Sequence, residues 1–357
     1  MKEKILITTG GSGGHVLPAL NFYEHLKENY QVFLITDLRG SRFINSEVYK
    51  YKIIDIPDIK KNFLKIPINL AILLISIIKS FIFLKKNKID KVISTGGYMS
   101  FPVCLASRFT KSNLFLFEPN MVLGRSNLFF IKQCKKIFCY SKRLEKFPKL
   151  HTKKIKTIYP IINKKFYSTK NEEINNKDEN ILLVVGGSQG ANFFQTELKE
   201  TLCKLSKKFN LSVYHQASKD NFQSLEQFYQ KNKISFKLFD FEYSLNNILK
   251  KVTFCITRAG ASTMAELVFF KVPFLAIPFP HSKDNHQLSN ALFYKEHNCC
   301  WIFEQKDVIK INFFETISHI IADKKEIEIK KKAMSEFSEK NTWENNNKLI
   351  IKTIYEN

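Results

Sequence analysis

The sequence predicts an α/β protein with two Rossmann-like, doubly wound parallel sheets, and three observations carry that expectation. Short apolar, β-like runs alternate with helical patterns along most of the chain, the punctuation of repeated βαβ units. An apolar run at 181–185 feeds into Gly186-Gly187-Ser188-Gln189-Gly190-Ala191, and an amphipathic pattern follows from 192 to 205. The same strand, tight loop and helix open the chain as Ile7-Thr8-Thr9-Gly10-Gly11-Ser12-Gly13-Gly14-His15, about half a chain earlier. Two such openings imply two similar domains, each starting with its own anion cradle, with the active site expected in the cleft between them.

The elements follow in order. Residues 1–162 form the first domain, with strands expected at 4–9, 31–36, 52–56, 91–94, 114–118, 136–140 and 155–159. A polar stretch at 163–180 reads as a linker. The second domain, 181–340, has strands expected at 181–185, 211–215, 236–239, 253–257, 274–278 and 299–303. The last segment, 341–357, reads as a helix packing back on the first domain.

Residues 63–84 break the rhythm, being apolar except for Lys65, Asn69, Ser76, Lys79 and Ser80, which recur at roughly helical spacing. Pro67 and Lys79 interrupt the run, so a membrane crossing is not expected. A core helix and a helix lying on a bilayer surface both fit the pattern. Lys60, Lys61, Lys85, Lys86 and Lys88 flank the segment and favour the surface of an anionic membrane.

Length and composition set the outer bounds. The 357 residues suffice for two cores, and an apolar fraction of 44% fits a globular protein. A formal charge of +23 invites a polyanion, yet only Arg39, Arg42, Arg108, Arg125, Arg143 and Arg258 are arginines. Base reading favours arginine, and no aromatic-basic motif or recognition helix stands out, so nucleic acid is not an expected partner. Seven cysteines without a C-x-x-C pair read as reduced core residues of a cytoplasmic protein. The N-terminus runs directly into a strand, without a cleavable signal pattern.

The glycine loops carry the chemistry. Glycine lets a ligand approach bare backbone N–H groups, and the following helix adds its positive end, so a phosphate or diphosphate is the expected guest. His15, at the mouth of the first loop, is the candidate general base. A third loop, Ser94-Thr95-Gly96-Gly97-Tyr98, ends another strand, and Glu118 and Asn120 end the next. In Thr257-Arg258-Ala259-Gly260-Ala261-Ser262-Thr263-Met264-Ala265-Glu266, Glu266 is placed to accept hydrogen bonds from two ribose hydroxyls. Thr263-x-x-Glu266 also reads as a capping box, which would explain the glutamate without a ligand. Beyond Pro278, His286 opens a helix on which Gln287 and Asn290 lie one turn apart, amides suited to sugar hydroxyls.

Several classes are excluded. No G-x-x-x-x-G-K-[ST] follows a strand, and Val16 stands where a dinucleotide fingerprint requires its third glycine. There is no D-x-D triplet, so no metal and no cofactor are expected, and helix dipoles would stabilise a leaving diphosphate.

These motifs together resemble a family. Thr9 to Leu20, Gly96-Gly97-Tyr98, Glu118-x-Asn120 with Gly124 and Asn127, the loop at Gly186–Ala191, His215-Gln216, Arg258-x-Gly260-Ala261 with Glu266, and His286-Gln287-x-x-Asn290-Ala291 look like the MurG family of bacterial peptidoglycan glycosyltransferases. The match spans about residues 5–300, in order. The resemblance implies a GT-B fold and inverting transfer of N-acetylglucosamine from UDP-N-acetylglucosamine to the muramoyl 4-hydroxyl of lipid I, giving lipid II. It implies donor contacts from Ser188, Gln189, Gly190, Glu242, Arg258, Ala261, Glu266, His286, Gln287 and Asn290, with Ser12, Gly13, Gly14, His15 and Asn120 reaching the donor from the first domain. Gly10, Gly11, Gly13, Gly14, Gly96, Gly97 and Tyr98 would hold the acceptor diphosphate, and His15, Asn120 and Glu266 would be the catalytic set. It further implies peripheral attachment to the cytoplasmic face of the inner membrane, beside other cell-wall synthesis and division proteins. Departures are Phe117 and Pro119 around Asn120, Ala217-Ser218, and Ile161-Ile162 where the family often places an arginine that would touch phosphate.

Overall fold

Seven parallel strands build the first sheet of the computed structural model, which describes residues 2–56, 66–169, 180–240, 245–310 and 312–357. They are β1 (Lys4–Thr8), β2 (Gln31–Thr36), β3 (Lys52–Ile53), β4 (Lys91–Ser94), β5 (Asn113–Glu118), β6 (Lys136–Cys139) and β7 (Ile155–Thr157), in the order β3-β2-β1-β4-β5-β6-β7. Ile5, Leu6 and Ile7 of β1 are fully buried, as a parallel strand covered on both faces requires. β3, an edge strand with one neighbour, covers only two of the five residues expected of it.

The second sheet has six parallel strands: β8 (Ile181–Val185), β9 (Ser212–Gln216), β10 (Phe236–Phe239), β11 (Val252–Thr257), β12 (Phe274–Ala276) and β13 (Trp301–Ile302). Their order is β10-β9-β8-β11-β12-β13. Apolar clusters flank this sheet on both faces, one around Phe194, Leu202 and Tyr229, the other around Met264, Leu267 and Tyr294.

Both sheets reverse their winding beside their first strand, and that reversal positions the loops. β1 lies between β2 and β4, in register Thr8↔Ser94, so the chain after β1 and the chain after β4 emerge side by side. The Thr95 N–H donates to the Thr8 carbonyl at 3.1 Å. In the second sheet β8 pairs with β11, Val185↔Thr257, and the Arg258 N–H donates to the Val185 carbonyl at 3.0 Å. Open α/β sheets bind ligands at such switch points.

Two compact units result, Met1–Lys164 with Trp343–Asn357, and Lys165–Thr342. The terminal helix Trp343–Tyr355 therefore belongs to the first unit. Trp343 stacks on buried His25 of the helix Gly13–Leu26, with ring centroids 3.6 Å apart. Asn346 Oδ1 accepts from the Tyr159 N–H at 3.1 Å. Residues 170–179 of the expected linker lie outside the described residues.

The apolar segment forms one 22-residue helix, Ile66–Asn87. Pro67 and Lys79 do not interrupt it, contrary to the sequence expectation: Pro67 stands in the first turn, where its missing N–H costs nothing, and Lys79 is exposed. By length and composition alone, Pro67–Asn87 is long and apolar enough to cross a membrane. Its polarity is turned inside out. Ser76 and Ser80 are buried, and Ser76 Oγ donates to the Asp55 carbonyl at 2.8 Å. Ile68, Leu70, Leu74, Ile78 and Ile82 are each more than half exposed. Lys60 and Lys61 lie outside the described residues.

Candidate active site

In the first unit a buried carboxylate shapes the glycine loop. Asp37, at the end of β2, accepts from the Gly11 N–H at 2.8 Å and the Gly40 N–H at 2.9 Å. A Cβ on Gly10 would stand 2.5 Å from Asp37 Oδ1 and 2.8 Å from Met99 Cβ, so only glycine fits. Gly11 has φ +82°, a left-handed conformation that glycine adopts without strain. Asp37 is thus a buttress of the loop. Ser12 is the N-cap of the helix Gly13–Leu26 without bonding its side chain there, and the first-turn N–H groups of Gly13 and Gly14 have no intrahelical acceptor.

His15 follows immediately. Its Nδ1 lies 2.9 Å from the Thr95 carbonyl oxygen, which can only accept, so Nδ1 carries the proton. Nε2 of the neutral ring is then left with its lone pair. Gly96 and Gly97, at φ +82° and +79°, lie against the ring: a Cβ on Gly97 would be 3.1 Å from His15 Cδ2. Tyr98 opens the short helical turn beyond them, half-buried.

Glu118 is the hub of the neighbouring loop. Its Oε1 accepts from the Asn120 side chain at 2.9 Å, and Oε2 from the Gly124 N–H at 2.8 Å and Asn127 Nδ2 at 2.9 Å. Asn127 Nδ2 also lies 3.0 Å from the Phe117 carbonyl, while its buried Oδ1 has no partner among the described residues.

In the second unit, Gly186 caps the helix Gly187–Thr196, on which only the backbone of Ser188, Gln189 and Gly190 is described. Gln216 ties this loop down: its Oε1 accepts from the Gly187 N–H at 3.0 Å, and its Nε2 donates to the Asp240 carbonyl at 2.9 Å. Phe241 and Glu242 lie outside the described residues. His215 is buried beside the Tyr229 hydroxyl, and burial pulls it down to about 4, so it stays neutral.

The helix Ala261–Phe269 decides between the two accounts of Glu266. Its N-cap is Gly260, so Thr263 is the third helical residue and Glu266 the sixth, and no capping box forms. The residue as a whole is half-buried, but its carboxyl group lies deep enough that burial pushes it up to about 8. No protein partner compensates it among the described residues.

Arg258 is committed elsewhere. Its Nη1 donates to the Ile277 and Pro278 carbonyls at 3.1 and 3.3 Å, its Nη2 to Gln305 Oε1 at 2.6 Å, and Phe193, Phe194 and Phe279 surround its guanidinium. Gln287 and Asn290 grip one residue: Gln287 Oε1 accepts from the Ala259 and Phe279 N–H groups, and Asn290 Nδ2 donates to the Ala259 carbonyl. Both amides hold the Ala259–Ala261 turn in place. His286 Nδ1 bonds the Lys283 carbonyl at 2.8 Å at the start of its helix.

Sequence reasoning did not anticipate the parts played by Asp37, Gln216 and Gln305. A short polar residue directly after an apolar strand was the only signal for Asp37, and it fits many roles.

Two Rossmann-like parallel-sheet units, each with a glycine loop at its switch point, define the GT-B fold, and the family matches make it a glycosyltransferase. Residues 5–139 match the glycosyltransferase family 28 N-terminal domain and 181–345 the family 28 C-terminal domain. The UDP-N-acetylglucosamine–N-acetylmuramyl-(pentapeptide) pyrophosphoryl-undecaprenol N-acetylglucosamine transferase of Pelagibacter ubique (strain HTCC1062) is 46% identical over 357 residues, 100% of each chain. The transferase of the same name from Rickettsia bellii (strain RML369-C) is 30% identical, covering 91% of this chain and 93% of its own. A crystal structure of Acinetobacter baumannii MurG superposes with a TM-score of 0.71 at 22% identity, covering 99% of this chain and all of that one, which speaks for the fold. The chain belongs to the MurG family of N-acetylglucosaminyltransferases.

Proposed function

We propose that this chain transfers N-acetylglucosamine from UDP-N-acetylglucosamine to the 4-hydroxyl of the muramoyl residue of lipid I, producing lipid II and UDP. The observation that carries the reading is His15, whose proton is parked on Nδ1 by the Thr95 carbonyl, leaving Nε2 to act as a base beside a phosphate cradle.

The residues divide the work as follows. Gly10, Gly11, Gly13, Gly14, Gly96, Gly97 and Tyr98 hold the acceptor diphosphate through backbone N–H groups and a helix N-terminus. His15 Nε2 removes the proton of the 4-hydroxyl. The oxygen attacks the anomeric carbon opposite the diphosphate, the C–O bond to UDP breaks, and the configuration inverts. The N-terminus of the helix Gly187–Thr196, with Ser188, Gln189 and Gly190, stabilises the charge arriving on UDP. Glu266 accepts the ribose hydroxyls, and Glu242 serves uracil. Ala261 and the His286, Gln287 and Asn290 helix shape the sugar site, which Arg258 supports from behind. Ser12 and Asn120 complete the reacting end. No metal takes part in this scheme.

The enzyme works as a peripheral protein on the cytoplasmic face of the inner membrane. Helix Ile66–Asn87 supports this, because Ser76 and Ser80 are buried while Ile68, Leu70, Leu74, Ile78 and Ile82 face out. Exposed Lys79 favours lying at the headgroups over crossing the bilayer. Contacts with other cell-wall synthesis and division proteins belong to the same proposal.

A lipid-directed UDP-sugar transferase acting on diacylglycerol would share the donor half. Supplying labelled UDP-N-acetylglucosamine with lipid I and diacylglycerol together separates them: label is expected on lipid I, and label on diacylglycerol alone refutes the proposal.

A further inference from the structure

The short helix Leu38–Ser41 brings an arginine to the glycine loops of the first unit. Arg39 Nε bonds Asp37 Oδ2 at 3.2 Å, and its Nη2 lies 3.3 Å from Met99 Sδ. Asp37 in turn holds the Gly11 N–H, and Met99 follows directly on the Gly96-Gly97-Tyr98 loop. One guanidinium is therefore pinned by the two segments that close around the loop after β1. A Cβ on Gly10 would touch both Asp37 and Met99, which shows how tightly the three are gathered.

The charge balance of the cluster favours an anion in front of Arg39. The Asp37 side chain is 2% exposed, and its carboxylate is already taken by two backbone N–H groups and the Arg39 Nε. The Arg39 side chain is 51% exposed. Thioether sulfur is a weak acceptor, so Nη2 is readily surrendered to a charged oxygen, and Nη1 has no partner among the described residues. A guanidinium held by Nε with its Nη edge outward has the geometry for two-pronged grip of a phosphate. Arg258 does not supply this charge, since its guanidinium is already bonded within its own unit.

We propose that Arg39 binds the diphosphate of the lipid-linked acceptor, with Asp37 as the positioning residue that sets its guanidinium beside the glycine loops. The assignment rests on the proposal that the first unit receives the acceptor. Backbone N–H groups then supply shape, and Arg39 supplies the full positive charge that a diphosphate requires.

The test is a kinetic comparison of wild type with Arg39→Ala, Arg39→Gln and Arg39→Lys, varying lipid I and UDP-N-acetylglucosamine in turn. Arg39→Ala and Arg39→Gln are expected to raise the acceptor KM by about tenfold or more, with the donor KM and melting temperature unchanged. Arg39→Lys is expected to recover part of the loss, because it restores charge without the fork. An unchanged acceptor KM, a change in the donor KM instead, or equal losses for both substrates with a lowered melting temperature each overturn the assignment. A second readout is independent of turnover: calorimetry of inorganic pyrophosphate with the donor site saturated by UDP. Binding by wild type that Arg39→Ala weakens supports the assignment even if lipid I is not the acceptor. Equal heats from the two proteins contradict it, whereas a wild type that binds pyrophosphate but never glycosylates lipid I refutes the acceptor proposal alone.

Discussion

His15 Nδ1 and the Thr95 carbonyl oxygen are 2.9 Å apart, a contact between the first turn of the helix after β1 and the loop after β4, which are neighbours because β1 and β4 pair at the switch point. This one bond sets the tautomer of the histidine and the direction of its free nitrogen. Replacing His15 with Gln removes the proposed base and is expected to lower kcat by about 10²–10⁴-fold, with donor affinity retained. A kcat within a few-fold of wild type, from initial rates at saturating substrates, would show that His15 only orients the acceptor.

Glu266 gives a pH dependence of definite sign. Its carboxyl group is raised from 4.5 to about 8 in the folded chain, so between those values the folded state holds a proton that the unfolded chain has released. The stability linked to this group is complete below pH 4.5 and is lost as pH rises to about 8. Glu266→Gln abolishes that slope, so the variant should melt progressively higher than wild type between pH 5 and 8, while its donor KM rises strongly. Parallel melting curves across that range, at unchanged donor KM, would contradict both halves.

Gly10→Ala forces a methyl group against Asp37 and Met99. A loss of about 1–3 kcal/mol of stability is expected, as in other overpacked sites, together with a fall in transfer rate. Denaturant unfolding with an unshifted midpoint would mean that the loop yields without cost.

The helix Ile66–Asn87 predicts opposite outcomes on its two faces. Serine at Ile75, Ile78 and Ile82, which are 49%, 56% and 55% exposed, should leave the melting temperature unchanged and reduce co-sedimentation with anionic vesicles. Valine at Ser80, which is fully buried, should lower the melting temperature and leave vesicle binding alone. Vesicle binding that ignores the outer-face triple variant would remove the helix from the membrane proposal.

Much of this architecture was legible in the chain, and the reasons are local. Strands such as Ile181–Val185 announce themselves as short apolar runs ending in glycine, and a parallel sheet needs both features. The glycine loops were visible because positive φ and close approach leave few residue choices. What stayed hidden depends on partners distant in sequence. Arg258 looks like a donor contact in its motif, and only the fold brings Gln305 and the Ile277 and Pro278 carbonyls to its guanidinium. Thr263 and Glu266 have capping-box spacing, but the helix begins two residues before Thr263 and the box cannot close. Pro67 reads as a breaker until the helix is seen to start beside it. Asp37 and Gln216 act on backbone N–H groups 26 and 29 residues away, which no spacing rule announces.

The most direct measurement is the anomeric configuration of the product made by purified protein from UDP-N-acetylglucosamine and lipid I, read by nuclear magnetic resonance. The α-linked donor should yield a β-linked N-acetylglucosamine on the muramoyl 4-oxygen, with one UDP released per linkage. An α-linked product, or UDP released without a new glycosidic bond, would contradict a single displacement assisted by His15.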